Sequence, residues 1–229
     1  MMPRQAAPVV CSLLGAAALL AARPAPRDAA VVPPARGRPA AAGRAAVPAD
    51  TLRFVVAPTG NEARYRVREQ LVRRDLPNDA IGRTTTISGG IAVDGAGKVI
   101  PGASRFVVDV TELKSDSDRR DGYVRRRLLE TERYPTVELV PTAVQGLPSP
   151  LPAAGPVSFQ LVGDLTVHGT TRPTTWQVTG QYQGGRITGT ARTGFTFADF
   201  GLTQPRVPIL LSVADTITLE YDFTLTPQR

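Results

Sequence analysis

Residues that could do chemistry are sparse in this chain, and the most suggestive of them lie in one short stretch. The segment GDLTVHGTTRP, residues 163–173, contains the only histidine, His168, close to Asp164 and Arg172. A histidine near a carboxylate could act as a general base, as it does in a Ser-His-Asp arrangement. The other interpretation is a tight turn between two strands, in which Gly169 relieves backbone strain and the histidine has no catalytic role.

Motifs that usually accompany catalysis or cofactor binding are missing. The sequence has no G-x-S-x-G nucleophile elbow, no G-x-G-x-x-G dinucleotide fingerprint and no Walker-type loop. The single cysteine, Cys11, lies in the N-terminal apolar run, so His168 is the only nitrogen or sulfur ligand that the rest of the chain offers to zinc or copper. We therefore expect no metal and no cofactor. An enzyme would have to use His168 or a carboxylate that faces a cavity.

Composition divides the chain at about residue 50. Residues 1–49 are rich in Ala, Pro, Gly and Arg, and six arginines against one aspartate give this segment +5 of the total net charge of +7. The remaining +2 does not indicate a nucleic-acid binder. Residues 8–22, PVVCSLLGAAALLAA, are too short for a membrane span, which needs about 20 residues, but fit the apolar part of an export signal. The sequence thus predicts export, a flexible linker up to residue 49, and one folded domain over 50–229.

Alternation of apolar and polar residues dominates the folded part. In TITLEYDFTLT, residues 216–226, every second residue from Ile217 to Leu225 is apolar and the residues between are polar, which is typical of a long strand with one buried face. Further segments with this pattern are 51–56, 63–69, 84–93, 104–113, 136–144, 157–167, 174–182 and 186–197. Eight to ten such strands predict an antiparallel sheet that loses its edges by closing into a barrel. A β-sandwich is the competing architecture.

One segment between the strands has a helical pattern. Residues 117–132 contain no proline, and Ser117 or Asp118 can cap the start of a helix. Val124 and Leu128 are four residues apart and would share one face of it. The sequence therefore predicts a single short helix.

Several of these features occur together in a known family. They are Arg120-Asp121 on the predicted helix, Tyr134-Pro135 after it, GDLTVHGTTR at 163–172, and Asp199-Phe200-Gly201-Leu202. In this order they resemble the landmarks of the YceI-like family, over nearly the whole folded part. The resemblance implies a mainly β fold, namely an extended, antiparallel, eight-stranded lipocalin-like β-barrel with one short helix. It also implies export, which is typical of such proteins, and a polyisoprenoid chain held in a long interior tunnel, as in some members of the family.

Alternation along the strands also assigns the interior side chains. Twelve residues are predicted to face an apolar ligand: Phe54, Tyr65, Phe106, Phe159, Leu161, Leu165, Trp176, Phe195, Phe197, Ile217, Tyr221 and Phe223. The helix offers Arg119, Arg120 and Arg125 as candidates for contacting a head group at the mouth of the barrel. The alternative is that these arginines pair with acidic residues of the same segment.

The function predicted from these observations is that of an exported lipid-binding protein. It would hold a polyisoprenoid or a similar long apolar ligand in the barrel interior, without catalysis, without a nucleic-acid partner and without an integral membrane span. A homodimer is left open. Two alternatives remain: an enzyme acting on a hydrophobic small molecule in the same cavity, and a filled barrel that binds a partner through its arginine-rich helix.

Overall fold

A computed structural model describes residues 51–147 and 154–228. The predicted export signal and linker, residues 1–49, lie outside these ranges. The described strands are β1 Leu52–Val56, β2 Glu62–Leu71, β3 Asn78–Thr84, β4 Ile87–Val93, β5 Arg105–Asp109, β6 Thr136–Gln145, β7 Gly155–Val167, β8 Thr170–Gln183, β9 Arg186–Thr196 and β10 Leu210–Pro227. The helix α1, Asp118–Tyr123, lies between β5 and β6, and short 3-10 turns cover Pro101–Ala103 and Phe197–Phe200.

These ten strands occupy eight positions in a closed antiparallel barrel. Strands β1 and β2 lie end to end along β10, because β1 pairs with its residues 225–227 and β2 with its residues 210–222. Strands β3 and β4 are likewise one long strand, interrupted only at residues 85–86. Around the ring, this pair is followed by β5, β6, β7, β8, β9 and β10. The predicted eight-stranded barrel is therefore confirmed, and the β-sandwich is excluded.

Strand β7 shows how alternation directs side chains into the barrel. Val157, Leu161, Leu165 and Val167 are buried, whereas Asp164 between them is exposed. Each fully buried apolar side chain of this size contributes about 1.5–3 kcal/mol relative to an exposed one. A register shift of one residue would exchange the two faces, so this burial also fixes the register.

Strand β3 was not predicted, because its inward-facing residues are small. Ala80, Gly82 and Thr84 are buried, but they give no apolar alternation that could be recognised in the sequence. Tyr65 on β2 is the register partner of Gly82. A Cβ atom at position 82 would lie 2.2 Å from Tyr65 Cε1, so the glycine provides the space that the tyrosine ring occupies.

The helix packs against the segment that follows β5. Ser117 caps α1 by accepting a hydrogen bond from a backbone N–H of its first turn at 3.4 Å. After residue 123 the helix continues as a π-helical turn, Val124–Leu128. Its apolar side packs against Val110 and Leu113. The predicted helix is therefore present, ending a few residues earlier than the pattern suggested.

Candidate functional site

Side chains do not fill the centre of the barrel. An apolar cavity of about 240 Å³ lies inside, bordered by residues of all ten strands and of the helix. A buried water takes about 10–15 Å³ of such space, so the cavity has on the order of 20 times that volume and is far larger than a packing defect. Because its walls are almost wholly aliphatic and aromatic, a charged group inside would lose its hydration without compensation.

All twelve residues predicted to face the interior border this cavity. They come from β1, β2, β5, β7, β8, β9, β10 and the turn after β9. The prediction missed wall residues on β4, β6 and the helix, including Ile91, Leu139 and Leu128. Leu139 follows the same alternation and could have been found by it, whereas Leu128 lies outside any strand. Contact between these side chains and a ligand stays a prediction.

Aromatic residues pack together around the turn after β9. In the turn after β9, Thr196 and Asp199 form a reciprocal capping box, in which the Asp199 carboxylate accepts the Thr196 backbone N–H at 2.7 Å. This hydrogen bond and the Thr196 hydroxyl lower the pKa of Asp199. Phe200 is fully buried, and its ring meets Phe195 edge-on with centroids 4.5 Å apart. The Asp-Phe-Gly-Leu landmark thus serves as structural packing.

The histidine lies in a turn rather than on the cavity wall. His168 and Gly169 connect β7 to β8 with φ values of 50° and 73°, as tight two-residue hairpin turns require. The imidazole packs against Tyr134 with ring centroids 4.5 Å apart, and its Nε2 lies 3.4 Å from the Glu130 carboxylate. His168 does not border the cavity. The predicted turn is therefore present, and His168 lies outside the cavity in which the enzyme alternative placed it.

Among the residues that border the cavity, polar side-chain atoms differ in whether they have a hydrogen-bond partner within the protein. The Tyr221 hydroxyl donates to Asn61 Oδ1 at 2.9 Å, and Trp176 Nε1 donates to Thr174 Oγ1 at 3.1 Å. The Tyr65 hydroxyl is buried but has no hydrogen-bond partner among the described residues. Burial raises the pKa of both tyrosines, so each hydroxyl keeps its proton at neutral pH and can donate it.

Charged residues next to the cavity are paired on the outer face of the barrel. Glu220 on β10 accepts from Arg64 Nε at 3.4 Å and from Arg66 Nε at 3.3 Å. Arg64 also bonds Asp222 at 2.6 Å, and Arg66 bonds Asp79 at 3.0 Å. Burial by itself would raise the pKa of Glu220, but the two arginines outweigh burial, and its pKa lies below the ordinary value. These ion pairs hold β10, β2 and β3 together.

None of the three candidate head-group arginines borders the cavity. Arg120 bonds Glu69 at 2.7 Å and also pairs with Asp116, and its side chain is only 17% exposed. Arg125 donates to a backbone carbonyl at 3.3 Å. Arg119 is exposed and forms no ion pair with the described part of the chain. Arg120 therefore anchors the helix to β2, and a head-group contact by any of the three stays a prediction.

Two kinds of feature are absent from residues 51–147 and 154–228. No helix there has the length and apolar character that a membrane crossing requires. No group of three or more His, Cys, Asp or Glu side chains is placed to hold a metal ion.

Solved structures share this barrel at low sequence identity. A polyisoprenoid binding domain from Saccharophagus degradans implicated in plant cell wall breakdown matches with a TM-score of 0.61 and 17% identity, covering 77% of this chain and 99% of that one. BcnA of Burkholderia cenocepacia matches with a TM-score of 0.52 and 16% identity, covering 72% and 95%. The YCEI protein of Campylobacter jejuni matches with a TM-score of 0.52 and 14% identity, covering 70% and 91%. At these identities the likeness concerns the fold.

Sequence comparison identifies the family. A UPF0312 protein of Pseudomonas putida strain GB-1 is 32% identical over 114 residues, which are 46% of this chain and 56% of the relative. The chain thus spans about half the length of the curated relatives it matches. The model of the YceI-like domain matches residues 54–225, from β1 almost to the end of β10. Since that match covers the whole barrel, the chain belongs to the YceI-like family.

Proposed function

We propose that this protein holds a polyisoprenoid or a similar long apolar lipid inside its barrel and releases it unchanged. The observation that carries the proposal is the apolar cavity of about 240 Å³ bordered by every strand. The polyisoprenoid binding domain of Saccharophagus degradans, which shares the barrel, supports the same ligand class. The absence of His168 from the cavity wall supports binding without catalysis.

Apolar contact alone would suffice for useful affinity. Burying on the order of 500 Å² of an isoprenoid at about 25 cal/mol per Å² gives a gross gain of roughly 12 kcal/mol. The loss of translational freedom and the ordering of the chain offset much of this gain. Polar groups of the ligand would then decide specificity more than they decide affinity.

Export is part of the proposal and rests on the apolar run at residues 8–22. We expect the protein to reach an extracytoplasmic compartment, where a lipid carrier can exchange with membranes. Fractionation of cells that produce the full chain tests this step. The periplasmic or secreted fraction should contain the protein, and deletion of residues 8–22 should retain it inside the cell. Equal retention of both forms would contradict export.

Binding can be followed through Trp176, the only tryptophan of the chain, which is buried on the cavity wall. Titration with geranylgeraniol, a prenyl alcohol of 20 carbons, should change its emission saturably at one ligand per chain. Ala191→Phe should abolish this change, because Ala191 borders the cavity and a larger side chain would enter it. The control is Thr188→Phe, which places the same ring on the exposed face of the same strand. Binding that Ala191→Phe leaves intact would contradict the proposal.

A further inference from the structure

One residue that borders the cavity carries a buried polar atom that no described residue satisfies. The Tyr65 hydroxyl is buried and meets no hydrogen-bond partner in the described part of the chain. It is the only such atom that belongs to a wall residue, since the other unpaired buried atoms there are on Asn78, Asp121 and His168, which do not border the cavity. A buried hydroxyl without a partner is unfavourable, so a partner supplied by a ligand would be selected for.

Packing holds the Tyr65 ring in place. The ring lies over Gly82, and a Cβ atom there would meet Tyr65 Cε1 at 2.2 Å and Leu113 Cδ2 at 2.7 Å. Tyr65 is therefore confined between β3 and the segment that leads to the helix. A fixed hydroxyl can select a ligand by geometry, because no side-chain freedom is lost when the ligand binds.

The surroundings of Tyr65 disfavour an anionic head group. The charges of Arg120, Asp121 and Glu69 all act on its hydroxyl. The Arg120 guanidinium is already bonded to Glu69 at 2.7 Å. Asp121 is 1% exposed, and one of its carboxylate oxygens has no partner among the described residues. A phosphate here would meet carboxylates and a committed arginine, so an uncharged group fits better.

We propose that Tyr65 is the polar anchor of the cavity and that the natural ligand carries an uncharged oxygen, a hydroxyl or a carbonyl, that hydrogen-bonds to it. This inference rests on the proposed function and narrows its ligand class to neutral prenyl lipids. Tyr221 provides a matched control. It borders the same cavity and sits on the neighbouring strand, opposite Ala63, but its hydroxyl already donates to Asn61.

Three probes with the same 20-carbon prenyl chain test the inference: geranylgeraniol, the hydrocarbon with hydrogen in place of the hydroxyl, and geranylgeranyl diphosphate. The wild type should bind the alcohol about three- to tenfold more tightly than the hydrocarbon, as one added hydrogen bond allows, and more tightly than the diphosphate. Tyr65→Phe should remove the preference for the alcohol by weakening its binding to the level of the hydrocarbon. Tyr221→Phe should keep the preference.

The other possible results contradict either the anchor, the neutral ligand class or the proposed function. Equal binding of alcohol and hydrocarbon by the wild type, as expected if a buried water satisfies Tyr65, would overturn the anchor and leave the carrier function standing. A preference for the alcohol that survives in Tyr65→Phe would also overturn the anchor. An equal loss of affinity for the alcohol and the hydrocarbon in that variant would overturn it too, because it indicates a structural role for Tyr65. Tightest binding of the diphosphate would overturn the neutral ligand class. Failure of all three probes to bind the wild type would overturn the proposed function itself.

Discussion

Glu220 connects β10 to two arginines of β2, and its replacement by glutamine tests how strongly this network stabilises the barrel. The carboxylate receives hydrogen bonds from Arg64 and Arg66 at 3.3–3.4 Å, and its side chain is 11% exposed. In the variant, Arg64 still pairs with Asp222 and Arg66 still pairs with Asp79, so each guanidinium retains an acidic partner. We therefore expect Glu220→Gln to lower the free energy of unfolding at pH 7 by about 1–2 kcal/mol, less than the 3–5 kcal/mol typical of an isolated buried pair.

The effect of Glu220 should depend on pH in a defined direction. Its pKa in the folded protein lies below the ordinary value near 4.5. A carboxyl group that binds its proton more weakly in the folded state stabilises the protein above the unfolded pKa, and this contribution is lost as the pH falls through the folded pKa. As the pH falls, the wild type should therefore lose the stabilisation that ionised Glu220 provides. Glu220→Gln lacks that stabilisation at every pH. The difference between the two proteins should shrink from about pH 5 downward.

Urea unfolding followed by Trp176 fluorescence measures both effects. Wild type, Glu220→Gln and the control Asp164→Asn are compared at pH 7 and at pH 3.5. Asp164 is exposed and forms no ion pair with the described residues, so its variant should stay within about 0.5 kcal/mol of the wild type. Equal stability of Glu220→Gln and wild type at pH 7, or a difference that does not shrink in acid, would refute the reasoning.

Substitutions at three further positions probe packing and backbone conformation. Gly82→Ala should lower the free energy of unfolding in urea by about 1–3 kcal/mol, because its Cβ would lie 2.2 Å from Tyr65; a neutral effect would contradict the packing. His168→Val should lower the free energy of unfolding, measured by thermal melts, by at least about 1–2 kcal/mol, because the φ of residue 168 is 50°. His168→Asn should lower it less. Neither substitution should change the affinity for geranylgeraniol. Phe200→Ala should cost about 3–5 kcal/mol in urea, since Phe200 is fully buried; a loss below 1 kcal/mol would contradict its role.

Period-two alternation predicted most of the fold, and its failures have local causes. The run from Ile217 to Leu225 was predicted correctly, but β10 begins earlier, at Leu210. Its register against β2 shifts between Val213 and Ile217, so alternation breaks down in that part of the strand. Strand β3 escaped prediction for a different reason: its inward residues are small because Tyr65 takes the space above them. This packing of Tyr65 against Gly82 involves two strands, so neither sequence segment alone indicates it.

Alternation also predicted many of the residues that border the cavity, but it did not predict which of their polar atoms are paired. Alternation places Tyr65 and Tyr221 on the inner face alike. The difference between them depends on Asn61, which is 160 residues from Tyr221 in sequence. The ion pair of Arg120 with Glu69 likewise joins residues 51 positions apart. It occupies an arginine that was predicted as a candidate for contacting a head group. Such pairings arise from the closed barrel and leave no local signal.

Native mass spectrometry of the protein purified without detergent from its producing cells tests the central claim most directly. We predict a species heavier than the chain by the mass of one neutral prenyl lipid, which extraction and fragmentation identify. Ala191→Phe, prepared in the same way, should carry none. Recovery of the wild type only in its lipid-free form, together with no uptake of geranylgeraniol in vitro, would contradict the account.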